Sequence, residues 1–158
     1  MTELNIKAFI EEYTHSENKK EVLDKIEIEN YIPVLLKKEV INAIIDSFIN
    51  YENGMITYEP IDKHICFTLG FITLYTNLVY EDNGSESYDL LMKNDVVDYI
   101  IKSIGLDYGD FVALFEETLN NRIAFNNSIP NRFGALLGTL EETIKNIDIN
   151  EIAKILGD

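Results

Sequence analysis

Residues 61–80 read IDKHICFTLGFITLYTNLVY. On a helix turning about 100° per residue, Asp62, Thr73, Thr76 and Asn77 gather on one side. Ile61, Ile65, Phe67, Leu69, Ile72, Leu74, Leu78 and Val79 spread over most of the rest. So wide an apolar surface predicts a central helix wrapped by others. A membrane span needs about 20 largely uninterrupted apolar residues. Here Lys63, His64, Thr68 and Asn77 interrupt the run, so burial in a soluble core is the expectation.

Working outward, the flanking segments carry narrower stripes. Leu4, Ile6, Phe9, Ile10 and Tyr13 give a first short helix, with Thr2 as a candidate cap, and Val22, Leu23 and Ile26 mark a second. Pro33 opens a strong helical pattern over 33–50, with Val34, Ile41, Ile44, Ile45 and Phe48 on one face and Lys37 assigned elsewhere. Asn53-Gly54 marks a hairpin between strands. With a helix before it, a left-handed helix stop is expected, followed by one short extended link over 55–58. Pro60 then begins the central helix.

After the polar loop at 81–85 comes a short helix over 88–93. The next is capped by Asn94 or Asp95, has Val96, Val97, Ile100, Ile101 and Ile104 as its stripe, and ends at Gly105. Asp107 can cap a long helix to about 126, with Phe111, Phe115, Leu119 and Ile123 four apart. Pro130 opens another through Phe133, Leu136, Leu137, Leu140, Ile144 and Ile147, and 149–156 forms a last short one. The fold class is all-α: an irregular or orthogonal bundle of seven or eight helices around the helix at 61–80.

The 158 residues fit a single helical domain, 1–158, long enough to bury a sizeable core. Its formal charge is −15, divided as −6 over residues 1–80 and −9 over 81–158, so the whole domain is acidic rather than one tail. Phosphates are repelled by such a surface, and direct nucleic-acid binding is not expected. The acidity suits a basic partner or mimicry of DNA, or it serves solubility alone. Cys66, the only cysteine, reads as a small buried hydrophobe. The N-terminal segment has the pattern of neither a signal nor a transit peptide, which points to a reducing cytoplasm.

No chemical motif emerges. Zinc wants about four ligands, yet only two histidines exist, and His64 and Cys66 lie two apart, on different sides of a helix. Gly134-x-x-x-Gly138 lacks the Lys-Ser/Thr of a phosphate loop. Neither Gly54 nor Gly84 has an acid at the first position of a calcium loop, and Asp107 with Asp110, or Glu81 with Asp82, reads as caps and loop charges. Glu11-Glu12, Glu116-Glu117 and Glu141-Glu142 are adjacent and diverge by about 100°, whereas an acid/base pair must converge. No catalytic residue, cofactor or metal is expected, and the chain is read as a non-enzyme.

Two features bear on interaction. Gly134 and Gly138, one turn apart beside Ala135, suggest close approach of another backbone, internal or intersubunit, because glycine costs a helix about 1 kcal/mol against alanine. Nine tyrosines, among them Tyr80, Tyr88 and Tyr108 near loops or helix ends, fit an interface or the edge of a core.

In order along the chain, Tyr31-Ile32-Pro33, Asn53-Gly54, Phe67-Thr68-Leu69, Tyr75-Thr76 and Tyr88-Asp89-Leu90-Leu91 resemble a group of small acidic proteins of bacteriophages and prophages of low-GC Gram-positive bacteria. The resemblance spans roughly residues 28 to 120. It implies a virion structural or assembly role of the connector, neck-ring or tail-assembly type. The implied partners are other phage structural proteins or further copies of the chain, with no nucleic acid and no membrane. The implied location is the host cytoplasm during assembly, or the virion. The alternative expectation, drawn from charge, is an acidic phage-encoded inhibitor of a host nucleic-acid enzyme, acting as a DNA mimic or anti-defence protein.

Overall fold

The computed structural model describes residues 2–52, 54–81 and 84–146. Among them are eight helices and four short strands, so the all-α class holds. The order is β1 (Leu4–Asn5), α1 (Ile6–His15), α2 (Lys19–Leu23), α3 (Val34–Phe48), β2 (Asn50–Glu52), β3 (Met55–Thr57) and α4 (Pro60–Tyr75). Then come β4 (Leu78–Val79), α5 (Ser85–Lys93), α6 (Val96–Ile104), α7 (Leu106–Asn126) and α8 (Ile129–Asn146). The helix expected over 149–156 lies outside the described residues.

Where composition suggests one domain over 1–158, the contacts group into two compact units. The first comprises Met1–Ile49 and Tyr58–Leu119, the second Asn50–Thr57 and Asn120–Asp158.

In the first unit the apolar stretch forms α4, which packs against α3, α5 and α6. Leu69, Phe71, Ile72 and Tyr75 are almost fully buried. Gly70 faces α3, where a Cβ would overlap the Ile44 side chain, so the missing side chain sets how closely the two helices approach. Phe67 and Phe71 meet α7, with ring centroids of Phe67 and Phe115 4.7 Å apart and those of Phe71 and Tyr108 5.1 Å apart.

Several expectations are corrected here. The central helix stops at Tyr75, not 80. The Thr76 hydroxyl donates to the Ile72 carbonyl at 2.7 Å and accepts from the Leu78 amide at 3.0 Å. Asn77, 7% exposed, accepts from the Glu27 amide at 3.0 Å and donates to the Thr2 carbonyl at 3.0 Å. These side chains compete with helical backbone bonding and turn the chain into β4, which pairs in parallel with β1. Nor is α4 sheathed all round: Ile61 is 72% exposed, and Cys66 is only half-buried. Asn5, not Thr2, caps α1, accepting from the Lys7 and Ala8 amides at 3.0 and 3.3 Å. Asp95 precedes α6 in a left-handed conformation, φ 58°, without a side-chain cap bond.

In the second unit β2 and β3 form an antiparallel hairpin with Glu52 opposite Met55. The extended piece expected over 55–58 is β3, but it is paired with β2 where a helix stop was expected, because α3 ends early enough for a strand to precede Gly54. Gly54 takes φ 74°, in the left-handed region that glycine adopts without a steric cost. The Asn127 side chain accepts from the Ile56 amide at 2.9 Å.

Candidate functional site

Among the described residues three features bear on function: a buried polar cluster, an aromatic cleft and an exposed helix face.

The cluster centres on Asp107, which lies within the first turn of α7 rather than capping it. Its carboxylate accepts from Lys37 Nζ at 2.6 Å, from the Tyr75 hydroxyl at 2.7 Å and from the Ile32 amide at 3.1 Å. All of these side chains are buried; Lys37 is 4% exposed, against its assignment off the apolar face. Burial opposes ionisation of Asp107, but the Lys37 and Tyr75 hydrogen bonds, the Ile32 amide and the Lys37 charge outweigh it and hold the carboxyl below its ordinary value. Tyr75 is pushed strongly upward, by burial first and then by its bond to Asp107. The cluster ties the starts of α3 and α7 to the end of α4, and none of its members lines the cleft described next.

The cleft runs along one side of α4 and has two lobes that share Pro60 and His64. The first, about 540 Å³, has a floor of Phe67, Phe71, Tyr108, Val112 and Phe115 between α4, α6 and α7. Residues 60, 63, 64, 67, 68 and 71 of α4 line it, the spacing of a single helix face. Its rim carries Lys63, Asp98, Glu116 and Met92. Lys63 bonds Glu116 at 2.8 Å and stands over the Phe115 ring. The second lobe, about 530 Å³, lies toward α5 and is lined by Ile61, Ile65, Tyr88 and Asp89. His64 projects between the lobes, exposed, with its ring edge-on to Tyr88 at 5.6 Å. Both volumes fall in the range that holds small ligands or a few anchoring side chains.

The helix face belongs to the second unit. Phe133, Leu136, Leu137 and Leu140 of α8 are each about half exposed. At about 100° per residue they fall on one stripe, and Gly134 and Gly138 lie along its flank. Among the described residues, a Cβ at either glycine would meet nothing within 4 Å, so no neighbouring backbone there explains them.

The structure therefore divides the residues singled out from sequence. Gly134 and Gly138 accompany the exposed stripe. Tyr88 and Tyr108 line the two lobes. Tyr108 stacks edge-on against Phe71 at 5.1 Å, and burial raises its hydroxyl pKa. Tyr80, 40% exposed, lines neither lobe. Sequence reasoning missed Lys37, Asp98 and Met92.

Among the described residues no group of three or more His, Cys, Asp or Glu side chains could hold a metal ion, and no helix is long and apolar enough to cross a membrane. Comparison of the chain with protein-family models, curated proteins and solved structures finds no match.

Proposed function

We propose that this chain is a non-enzymatic structural or assembly protein, of the bacteriophage type its sequence resembles, working through contacts with other virion proteins or with further copies of itself. The observation that carries this reading is the α8 stripe, where Phe133, Leu136, Leu137 and Leu140 stay about half exposed beside two open glycines. Withdrawing each half-exposed side chain from water is worth about 1 kcal/mol, so the stripe offers about 4 kcal/mol per chain to a partner surface. Glycines along its flank let a partner's backbone approach. Assembly would take place in the host cytoplasm and leave the protein in the virion or release it.

The test is light-scattering mass, alone and mixed with portal or tail proteins. The expected result is a mass above the monomer or a stable co-eluting complex, lost in the L136E/L140E double variant. A strict monomer that never co-elutes with virion components overturns the proposal.

The charge favours a second reading, an inhibitor that presents acidic helices to a DNA-binding groove. A net −15 spread over both halves is the pattern such a mimic needs. Retention of a basic nucleic-acid enzyme from host lysate at low salt, released at high salt, supports it; no such retention removes it.

A further inference from the structure

The cleft along α4 stands apart from the α8 stripe in both residues and chemistry. Its floor is aromatic and aliphatic, and its charges are unbalanced. The two lobes are lined by one lysine against three carboxylates, Asp89, Asp98 and Glu116, and the lysine is already bonded to Glu116. Asp89 and Asp98 are exposed at the rim, Asp98 in the first turn of α6. An occupant must therefore bring apolar groups for the floor and positive charge for the rim.

The shape narrows the choice further. Two lobes of similar size, about 540 and 530 Å³, flank His64 on one helix and share its Pro60 end, so the recess is extended and has two seats. Met92, 42% exposed, stands at the rim of the first lobe. Its flexible thioether can repack around an entering side chain, as methionine does in grooves that receive amphipathic helices.

We propose that this cleft binds a basic amphipathic segment of another polypeptide. One bulky apolar side chain would seat on the Phe67–Phe71–Tyr108–Phe115 floor, a second beside Tyr88, and Lys or Arg residues between them would pair with Asp98 and Asp89. The overall charge of −15 draws such a segment in and speeds its encounter, while the two carboxylates fix its position.

The test uses the full chain and fluorescein-labelled sixteen-residue helical peptides, with Leu and Phe on one face and Lys on the other. A second set carries Glu in place of Lys, and a third scrambles the apolar spacing. Fluorescence anisotropy gives the affinities. Circular dichroism reports whether each variant folds. The expected result is binding of the Lys peptide alone, weakened about fivefold or more by D98K and by D89K. M92K, also at an exposed position, weakens it too. E39K makes the same charge change on α3, at an exposed position that lines neither lobe, and leaves affinity within twofold. Equal weakening by E39K means that net charge alone attracts the peptide, and the site assignment falls. Equal binding of the Glu or scrambled peptides overturns the basic, amphipathic character. No peptide binding, with or without uptake of a small apolar dye, overturns the proposal outright. None of these results depends on the oligomeric state that tests the α8 stripe.

Discussion

Replacing Asp107 with alanine takes the acceptor from three buried donors at once: Lys37 Nζ, the Tyr75 hydroxyl and the Ile32 amide. A buried neutral donor left without a partner costs about 1–3 kcal/mol. Removing one member of a buried ion pair costs about 3–5 kcal/mol, because the surviving charge is stranded. These losses overlap. Lys37 can also relax toward the Tyr31 ring, over which its ammonium already stands at 5.6 Å. The expected total is therefore about 4 kcal/mol, against a whole-domain stability of about 5–15 kcal/mol.

Urea denaturation followed by circular dichroism measures the loss. The triple variant D107L/K37M/Y75F, which removes charge and donors together, should recover most of it, since an apolar replacement of a buried pair is often neutral or better. The pH dependence gives a second reading of the same carboxylate. Its folded-state pKa is held below the ordinary 3.8, so its contribution is complete above that value and is lost as pH falls through the lower folded value. On acidification the wild type should lose stability that D107N never had, and the two curves should converge. Tyr75 shifts the other way: its contribution is present below the ordinary 10.0 and is lost as pH rises beyond it. A D107A cost under about 1 kcal/mol, or a triple variant no more stable than the single, would refute the reasoning.

Two further outcomes follow from packing. Gly70→Ala gains about 1 kcal/mol of helix propensity but drives a Cβ into Ile44, an overpacking cost of about 1–3 kcal/mol. Net destabilisation that shrinks in an I44A background is expected from a double-mutant cycle, and net stabilisation would mean that α3 and α4 do not approach there. Asn77→Asp should lower the thermal midpoint more than Asn77→Ala. The carboxylate would turn an acceptor toward the Thr2 and Lys25 carbonyls that the amide now serves, and an N77D midpoint equal to wild type would contradict that arrangement.

The fold was legible wherever one face of a helix dominated. The stripes through Phe48, Ile104 and Ile123 give α3, α6 and α7 close to their observed bounds. Legibility failed where side chains, not periodicity, set the ending. Residues 76–79 continue the apolar pattern of α4, but Thr76 and Asn77 bond to backbone groups of α4, β4 and the segments before α3, so the chain leaves the helix at Tyr75. The hairpin was hidden in the same way. The Asn53-Gly54 signal is plain, but whether a strand or a helix precedes it depends on α3 ending at Phe48, two residues before the pattern runs out.

The polar cluster exposes a different gap, one that the sequence could have closed. Asp107 stands four residues before Phe111, in step with Phe115 and Leu119; Lys37 stands four before Ile41, in step with Ile45; Tyr75 stands four after Phe71. Each is the terminal member of a buried stripe, and helical geometry carries it inward with its neighbours. A charge in register with an apolar stripe must therefore either bend the helix end toward water or find an opposite charge that is also in register. Here one acidic stripe end and one basic stripe end meet, with a phenol between them. Placing Asp107 as a helix cap and Lys37 off the apolar face leaves that constraint out. The cleft lacks any such signal. Lys63, Phe67 and Phe71 lie on one face of α4, but the opening beside them exists only because α6 and α7 pack at that spacing from it, and no periodicity within one helix encodes a gap between three. The stripe ends are therefore written in the sequence, whereas the recess arises only from how three helices pack.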